Sequence, residues 1–302
     1  MTYDVVVIGG GPAGLSGAVA LGRALRSVLV IDSGTPRNAP ADGIHNYLTR
    51  DGTAPAEFAV TGRAEVERYG GEFRAGTVTA VEGGEPFRVT LDDGAVVTAR
   101  RILVAGGTTD LLPEIPGLRE LWGHRVLHCP YCHGYEVRGR PIGIIASGDR
   151  TMHAALLWSQ WTGDLTVFAN DVFVPDAEEA AELAARGITV VDGKVTAAAA
   201  DGVTLSGGRR VGREYLVVQT RLEARADYLA PLGLKPVEHP MGIGTHLPVE
   251  DPSGRTAVPG VWVAGNVADP MAQVITSAAA GLAAGAMINM DLITASAVPG
   301  TP

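Results

Sequence analysis

Cysteine is nearly absent from this 302-residue chain, which carries two, Cys129 and Cys132. A disulfide-stapled scaffold needs several pairs, so that class is excluded. Lysine occurs only at positions 194 and 235, and acidic residues outnumber basic ones 33 to 24, for a net charge of −9. An acidic chain repels phosphate backbones, which argues against a nucleic-acid partner. The apolar run near the start, Val5 to Ile8, is too short for a secretory signal and follows no basic segment. No membrane is expected either. The apolar stretch from Val274 to Met290 falls short of the roughly 20 residues a span requires and reads as a buried helix. The expected location is the cytoplasm, where structural disulfides are rare.

What is present is apolar material and glycine. Apolar residues make up 46% of the chain, enough for sizeable cores, and the 40 glycines follow no collagen-like period. The length suggests two domains. An apolar run over 4–8 reads as a buried strand and leads into Gly9-Gly10-Gly11-Pro12-Ala13-Gly14. A helical stretch from Leu15 to Leu25 follows, then a second apolar run from Ser27 to Ile31, closed by Asp32. Gly9, Gly11 and Gly14 fit the G-x-G-x-x-G pattern. The first allows the tight turn, the second lets the backbone approach a pyrophosphate, and the third lets helix and strand pack closely. Asp32 stands where a carboxylate holds ribose hydroxyls. The unit reads as a dinucleotide site; packing alone would not need the acid in register.

The segment from Glu72 to Val97 alternates around Gly83-Gly84 and Asp92-Asp93-Gly94 and reads as a small antiparallel excursion. Arg101 to Gly107 returns as a buried strand ending in glycines, and Pro113, Pro116 and Gly117 mark a boundary. A second βαβ unit follows. It has strands over Pro141–Ala146 and Asp164–Ala169, and helices over Thr151–Trp161 and Ala177–Arg186. Further strands cover Ile188–Val191 and Tyr215–Gln219, and the unit ends near Gly244. Gly260 to Val267 is a strand running into a Gly-Asn turn, followed by a small-residue helix. The fold class is therefore α/β, with two Rossmann-like, doubly wound domains. The first is discontinuous, over 1–117 and 245–302, and the second, 118–244, is inserted and carries the cysteines.

The cysteines lie in His128-Cys129-Pro130-Tyr131-Cys132-His133. As a zinc site, the two cysteines and their adjacent histidines would form short, strained chelates, poor for a tetrahedral cage. As a staple, a bridge across two residues closes almost no loop and removes little unfolded-state entropy. A redox dithiol is the better reading, with no metal. His133 is the candidate acid/base, since a neighbouring imidazolium lowers a thiol's pKa. His128 is a weaker candidate, and His45 and His153 read as structural.

These pieces together resemble the thioredoxin reductase-like flavoproteins of the pyridine nucleotide-disulfide oxidoreductases. The resemblance spans nearly the whole chain. Its anchors are Gly9 to Gly14, Ala105-Gly106, Cys129 to Cys132, and Gly265-Asn266-Val267 followed by Ala272-Gln273-Val274. It implies FAD as cofactor and a homodimer. It also implies roles for single residues. Gly9, Gly11, Pro12, Ala13 and Gly14 would touch the FAD pyrophosphate, and Asp32 the adenosine ribose. Asn46 would lie along the cofactor, with Arg37, Asn38, Val78, Ala105 and Gly106 also lining it. Gly265 and Asn266 would meet the ribityl chain, and Gln273 and Val274 the isoalloxazine edge. Asn266 departs from the family's usual Asp, although an amide can still bond a hydroxyl. The second cysteine, Cys132, would face the flavin, and Cys129 the substrate.

In the family the inserted domain carries an NADPH site, which in a working NADPH reductase needs a second Gly-rich turn. The sequence there reads Ala146-Ser147-Gly148-Asp149-Arg150-Thr151. A Cβ at 146 crowds the turn, and Asp149 adds a negative charge. The next strand ends Phe168-Ala169-Asn170-Asp171, without the arginines that suit a 2′-phosphate. Cys-Pro-Tyr-Cys-His-Gly together with this eroded turn resembles the flavin-dependent dithiol oxidases of disulfide natural products, the gliotoxin and holomycin types. The expected function is oxidation of a small-molecule dithiol with oxygen as acceptor. The alternative is a thioredoxin reductase-like enzyme fed by NADPH or by a protein donor such as ferredoxin. A flavin-bound redox sensor is a third, non-catalytic class, one that would not need the intact dithiol.

Overall fold

The computed structural model describes residues 2–296. The chain divides into two compact units. One comprises Met1–Ala39, Thr53–Asp110 and Leu222–Pro302; the other comprises Pro40–Gly52 and Leu111–Arg221.

The first unit opens with β1 (Thr2–Ile8), α1 (Pro12–Arg23) and β2 (Val28–Asp32). Pro12 stands at the first helical position, where its missing N–H costs nothing. The helix therefore starts three residues before the expected Leu15. It ends at Arg23 because Leu25 turns to φ 62°. The next helix, α2 (Pro55–Arg68), was not anticipated; it buries only Pro55 and Val66 and has little apolar periodicity to announce it. It carries the chain to β3 (Glu72–Ala75), which pairs parallel with β2. This corrects the expected excursion: Glu72–Ala75 extends the main sheet by a helical crossover, which parallel strands require. The antiparallel part is confined to β4 (Val78–Gly83), β5 (Phe87–Leu91) and β6 (Val96–Val104). A short strand, β7 (Thr108–Leu111), follows.

The second unit begins with α3 (Leu118–Leu121), β8 (Val126–Leu127) and α4 (Pro130–His133), the helical turn that holds both cysteines. Then come β9 (Ile142–Ile145), α5 (Thr151–Trp158), β10 (Leu165–Phe168), α6 (Ala177–Ala185) and β11 (Thr189–Val191). A meander of β12 (Val195–Ala199), β13 (Gly202–Leu205) and β14 (Arg210–Gly212) precedes β15 (Tyr215–Val218). Strands β8 to β11 and β15 form a parallel sheet in the order β11-β10-β9-β15-β8. Its core is Ile142, Ile144, Trp158, Val167 and Leu183 on one side and Ile145, Phe168, Leu216 and Val218 on the other.

The chain then returns through β16 (Arg221–Ala224), the hairpin β17 (Val237–Glu238) and β18 (Thr245–His246), β19 (Val261–Val263) and α7 (Val274–Ser296). The return starts at Leu222, earlier than the expected 245. Strand β16 pairs with β7, and the turn Asp227–Leu232 packs on β4. Among the described residues the main sheet has seven strands, in the order β3-β2-β1-β6-β5-β4, with β19 also on β6.

Helix α7 is 23 residues long, so the expectation that it falls short of a membrane span is corrected on length. It lies against α1 through glycines. A Cβ at Gly281 would come within 1.9 Å of the Ala13 carbonyl oxygen, and one at Gly285 within 2.8 Å of that of Gly17. Ala284, Ile288 and Leu292 are fully buried in that packing.

Candidate active site

The candidate cofactor site is built at the ends of β1, β6 and β19, where strands stop and turns begin. Gly9 has φ 109°, and a Cβ there would lie 2.3 Å from the Ala105 carbonyl oxygen. A Cβ at Gly14 would lie 1.9 Å from the Gly9 carbonyl oxygen. Gly11, between them, faces open space, with nothing within 4 Å of a Cβ position. It is the N-cap of α1, and no side chain caps the helix there. The backbone N–H groups of the first turn are thus left for an anion, with the helix dipole behind them. The Gly10 N–H donates to Asp32 Oδ1 at 3.1 Å, which ties the turn to the acid at the end of β2. Gly265, at φ 78°, brings the β19 turn onto α1, where a Cβ would meet the Ala13 methyl at 2.9 Å.

Several residues expected to line the cofactor have partners within the protein. Arg37 forms a two-pronged pair with Asp110, at 2.6 and 2.9 Å. Val78 packs its side chain into the core beside Leu91 and Val81. The Asn266 amide donates to the carbonyls of Asp269, Pro270 and Ala272 at 3.2, 3.2 and 2.8 Å. A carboxylate could not donate there, which gives a physical reason for Asn where the family usually has Asp. Asn38, Gln273 and Val274 are half-buried, and the Gln273 carbonyl accepts from the Ser277 N–H.

The dithiol belongs to the other unit. Cys129 caps α4 in an extended conformation, Pro130 takes the first helical position, and the Cys132 N–H donates to the Cys129 carbonyl at 3.2 Å. The turn brings the two Cα atoms to 5.3 Å, within disulfide range, and the cysteines are bonded to each other. Both are half-buried, so a thiol can reach them. Gly134 ends the turn because a Cβ would lie 2.5 Å from the Pro130 carbonyl oxygen and 2.8 Å from the Trp161 ring. Trp161 also meets the exposed Tyr131 edge-on, at 5.8 Å between ring centres. Trp122 meets His128 edge-on at 5.9 Å.

His133 closes α4. Burial holds its pKa below the ordinary imidazole value; the negative charges of Glu136 and Asp42 oppose that, and His45 adds to it. The loop Pro40–Gly52 clusters with the dithiol, although it lies far upstream in sequence. Asn46, at φ 61°, donates through its side-chain amide to the Tyr131 carbonyl at 2.7 Å, between the two cysteines. The residue expected along the cofactor thus braces the dithiol turn. Sequence reasoning missed the companions of Asn46 in this loop. His45 reaches Glu136 at 3.6 Å and Asp51 at 3.4 Å. The only local signal was the turn chemistry of Asn46 and Asp51-Gly52. His153, also read as structural, lies on α5 and is exposed.

The turn after β9 is filled by its own bonds. The buried Thr151 donates through its hydroxyl to the Gly148 carbonyl at 2.6 Å. Gln219 accepts from the Ser147 hydroxyl at 3.2 Å and donates to the Arg150 carbonyl at 2.9 Å. Asn170 donates to the Ala146 carbonyl at 3.1 Å and accepts from the Val195 N–H at 2.9 Å.

Residues 3–285 match the family described as pyridine nucleotide-disulphide oxidoreductase. The chain belongs to that family. It is 31% identical to thioredoxin reductase sirT of Leptosphaeria maculans, covering 97% of this chain and 95% of the relative. It is also 31% identical to thioredoxin reductase tcpT of Claviceps purpurea, over 96% and 94%. Among solved structures it is similar to an oxidoreductase from Agrobacterium tumefaciens, with 39% identity, a TM-score of 0.92 and coverage of 97% and 99%. It is equally similar to HlmI, with 41% identity, a TM-score of 0.91 and coverage of 98% and 95%. The protein is a thioredoxin reductase-like oxidoreductase with FAD as cofactor. The open Gly11 position and the bare α1 terminus fit the FAD pyrophosphate.

Proposed function

We propose that this enzyme is an FAD-dependent dithiol oxidase, which closes a disulfide in a small-molecule dithiol and passes the electrons to oxygen. The observation that carries this reading is the turn after β9. A nicotinamide nucleotide needs bare backbone at its diphosphate and cations at a 2′-phosphate. Here Thr151, Ser147, Gln219 and Asn170 bond the turn to its own surroundings, and Asp171 follows β10 where a cation is needed. The motif Cys-Pro-Tyr-Cys-His-Gly supports the same reading by its resemblance to the natural-product oxidases.

In the proposed reaction a substrate thiolate attacks Cys129, and Cys132 leaves as a thiolate. The second substrate thiol attacks the mixed disulfide at the substrate's sulfur and releases Cys129. The substrate loses two electrons and two protons, and the cysteine pair gains them as two thiols. His133, whose pKa burial lowers, is available to accept a proton from the incoming thiol. FAD, when bound, supplies the two-electron acceptor that restores the disulfide and delivers the electrons to oxygen as hydrogen peroxide. We further propose a cytoplasmic homodimer, as the resemblance implies; gel filtration tests the dimer.

The alternative is a reductase fed by NADPH or by a protein donor. Arg150 favours it, because a partly buried guanidinium stands at the turn itself. Anaerobic mixing separates the two readings. The FAD-loaded protein is mixed with NADPH or with a simple dithiol, and the flavin absorbance is followed. Bleaching by dithiol but not by NADPH, with peroxide on admission of air, is the expected result. Rapid bleaching by NADPH would give the reductase reading the lead. Turnover surviving both Cys129→Ser and Cys132→Ser would end the dithiol mechanism.

A further inference from the structure

The loop Pro40–Gly52 is a built structure. It closes on itself, with the Gly52 N–H donating to the Ile44 carbonyl and the Arg50 N–H to the Tyr47 carbonyl, both at 2.8 Å. Its first residue sits against Gly123, where a Cβ would come within 2.4 Å of the Pro40 Cβ. Two contacts fasten it to the dithiol segment, the Asn46 amide on the Tyr131 carbonyl and the His45 Nε2 on Glu136 Oε1 at 3.6 Å. The other ring nitrogen of His45 faces Asp51 Oδ2 at 3.4 Å, and Asp51 Oδ1 accepts the Asn46 N–H at 2.9 Å. An imidazole between two carboxylates is thus held by the same backbone turn that aims Asn46 at the cysteines.

Glu136 lies three residues after His133; it faces His45 directly, and its charge also favours the protonated form of His133. We propose that His45 is a positioning residue for the dithiol: it latches the loop to Glu136 and divides that carboxylate's field between itself and His133. The charged groups facing His133 are Glu136 and Asp42, which favour its protonated form, and His45, which opposes it. The groups facing His45 are Asp51, Glu136 and His133. A positive charge at His45 opposes that of Glu136 and disfavours the protonated form of His133. Without His45, the charge of Glu136 acts on His133 unopposed from that side.

The role of this latch in turnover rests on the reading of His133 as acid/base, but the latch itself is measured without turnover. The experiment uses the FAD-loaded, oxidised full-length protein labelled at histidine. Its imidazole signals are followed by NMR through a pH titration, with His133 assigned by loss of its signal in His133→Gln. In His45→Asn the His133 midpoint should move up; in Glu136→Gln and in Asp42→Asn it should move down. A loosened fold would move all three the same way, so opposite signs are the signature of the latch. Glu136→Asp, which keeps the charge, should restore most of the wild-type midpoint. The pH profile for reduction by dithiol should follow the same order. Midpoints that do not move, or that move together, overturn the proposal. Midpoints that move in opposite directions while the rate profile does not would keep the latch and remove His133 from the chemistry. His45→Gln serves as a second variant, should His45→Asn fail to fold.

Discussion

The chain contains the same strand-turn-helix device twice, and the two copies differ in what fills the turn. After β1, Gly9, Gly11 and Gly14 leave bare backbone, and the helix lies so close that a Cβ at Gly14 would strike the Gly9 carbonyl. After β9, the matching places hold Ala146, Gly148 and Thr151, and the Thr151 hydroxyl spends itself on the Gly148 carbonyl. One turn is bare of side chains, while the other is crossed by side chains that bond its carbonyls. The same fold unit thus presents two different surfaces to a ligand.

The comparison breaks most sharply at Gly14. Gly14→Ala forces backbone apart at an uncompressible contact, and a cost on the order of 3 kcal/mol is expected. The variant should purify without flavin, read as the ratio of visible to ultraviolet absorbance, and should melt well below the parent. A yellow, stable Gly14→Ala would mean that the close approach is not needed.

A smaller loss is expected at the return turn that reaches α1. Asn266→Asp replaces a donor facing three carbonyls with a charge, at a cost of about 1–3 kcal/mol, measured by chemical denaturation. Ala146→Gly with Thr151→Gly makes the second turn look like the first. The double variant should lose about 2 kcal/mol, from added backbone freedom and one lost hydrogen bond. It should still not be bleached by NADPH, because Asn170 and Asp171 offer no cation. Bleaching of the double variant would assign the whole difference between the turns to two side chains.

The smallest effect is in pH. The pKa of His133 is lowered in the folded state, so between its folded value and the ordinary 6.5 the unfolded chain binds more protons. Stability therefore falls as pH drops through that window, and the loss is complete below the folded value. His246, lowered by burial, adds in the same direction. Denaturation midpoints at about pH 7.5 and 5.5 should differ less in His133→Gln than in the parent.

Both turns were legible in the sequence because their signals are local: a glycine at positive φ, a proline at a first helical position, two cysteines three apart. The pairing of Cys129 with Cys132 needs only the turn that Pro130 and Gly134 shape. The partners of the Pro40–Gly52 loop were not legible. Asn46 meets Tyr131 across 85 residues, and nothing near either position announces the contact. Helix α2 escaped notice because so few of its residues are buried. The acceptors of the Asn266 amide were within reach, since all three carbonyls lie within six residues.

The glycine contact between α1 and α7 has a consequence for how the molecule is made. Helix α1 leaves the ribosome well before the surface it packs against, which α7 supplies far downstream. The second unit can gather its core from 111–221 while translation continues, since domains fold as units from the amino terminus onward. The first cannot close until Gly281 and Gly285 arrive, so its small-residue seam stands open until α7 has been made. Emergence of α7, rather than of the Gly-rich turn, then sets the earliest moment at which flavin can be captured.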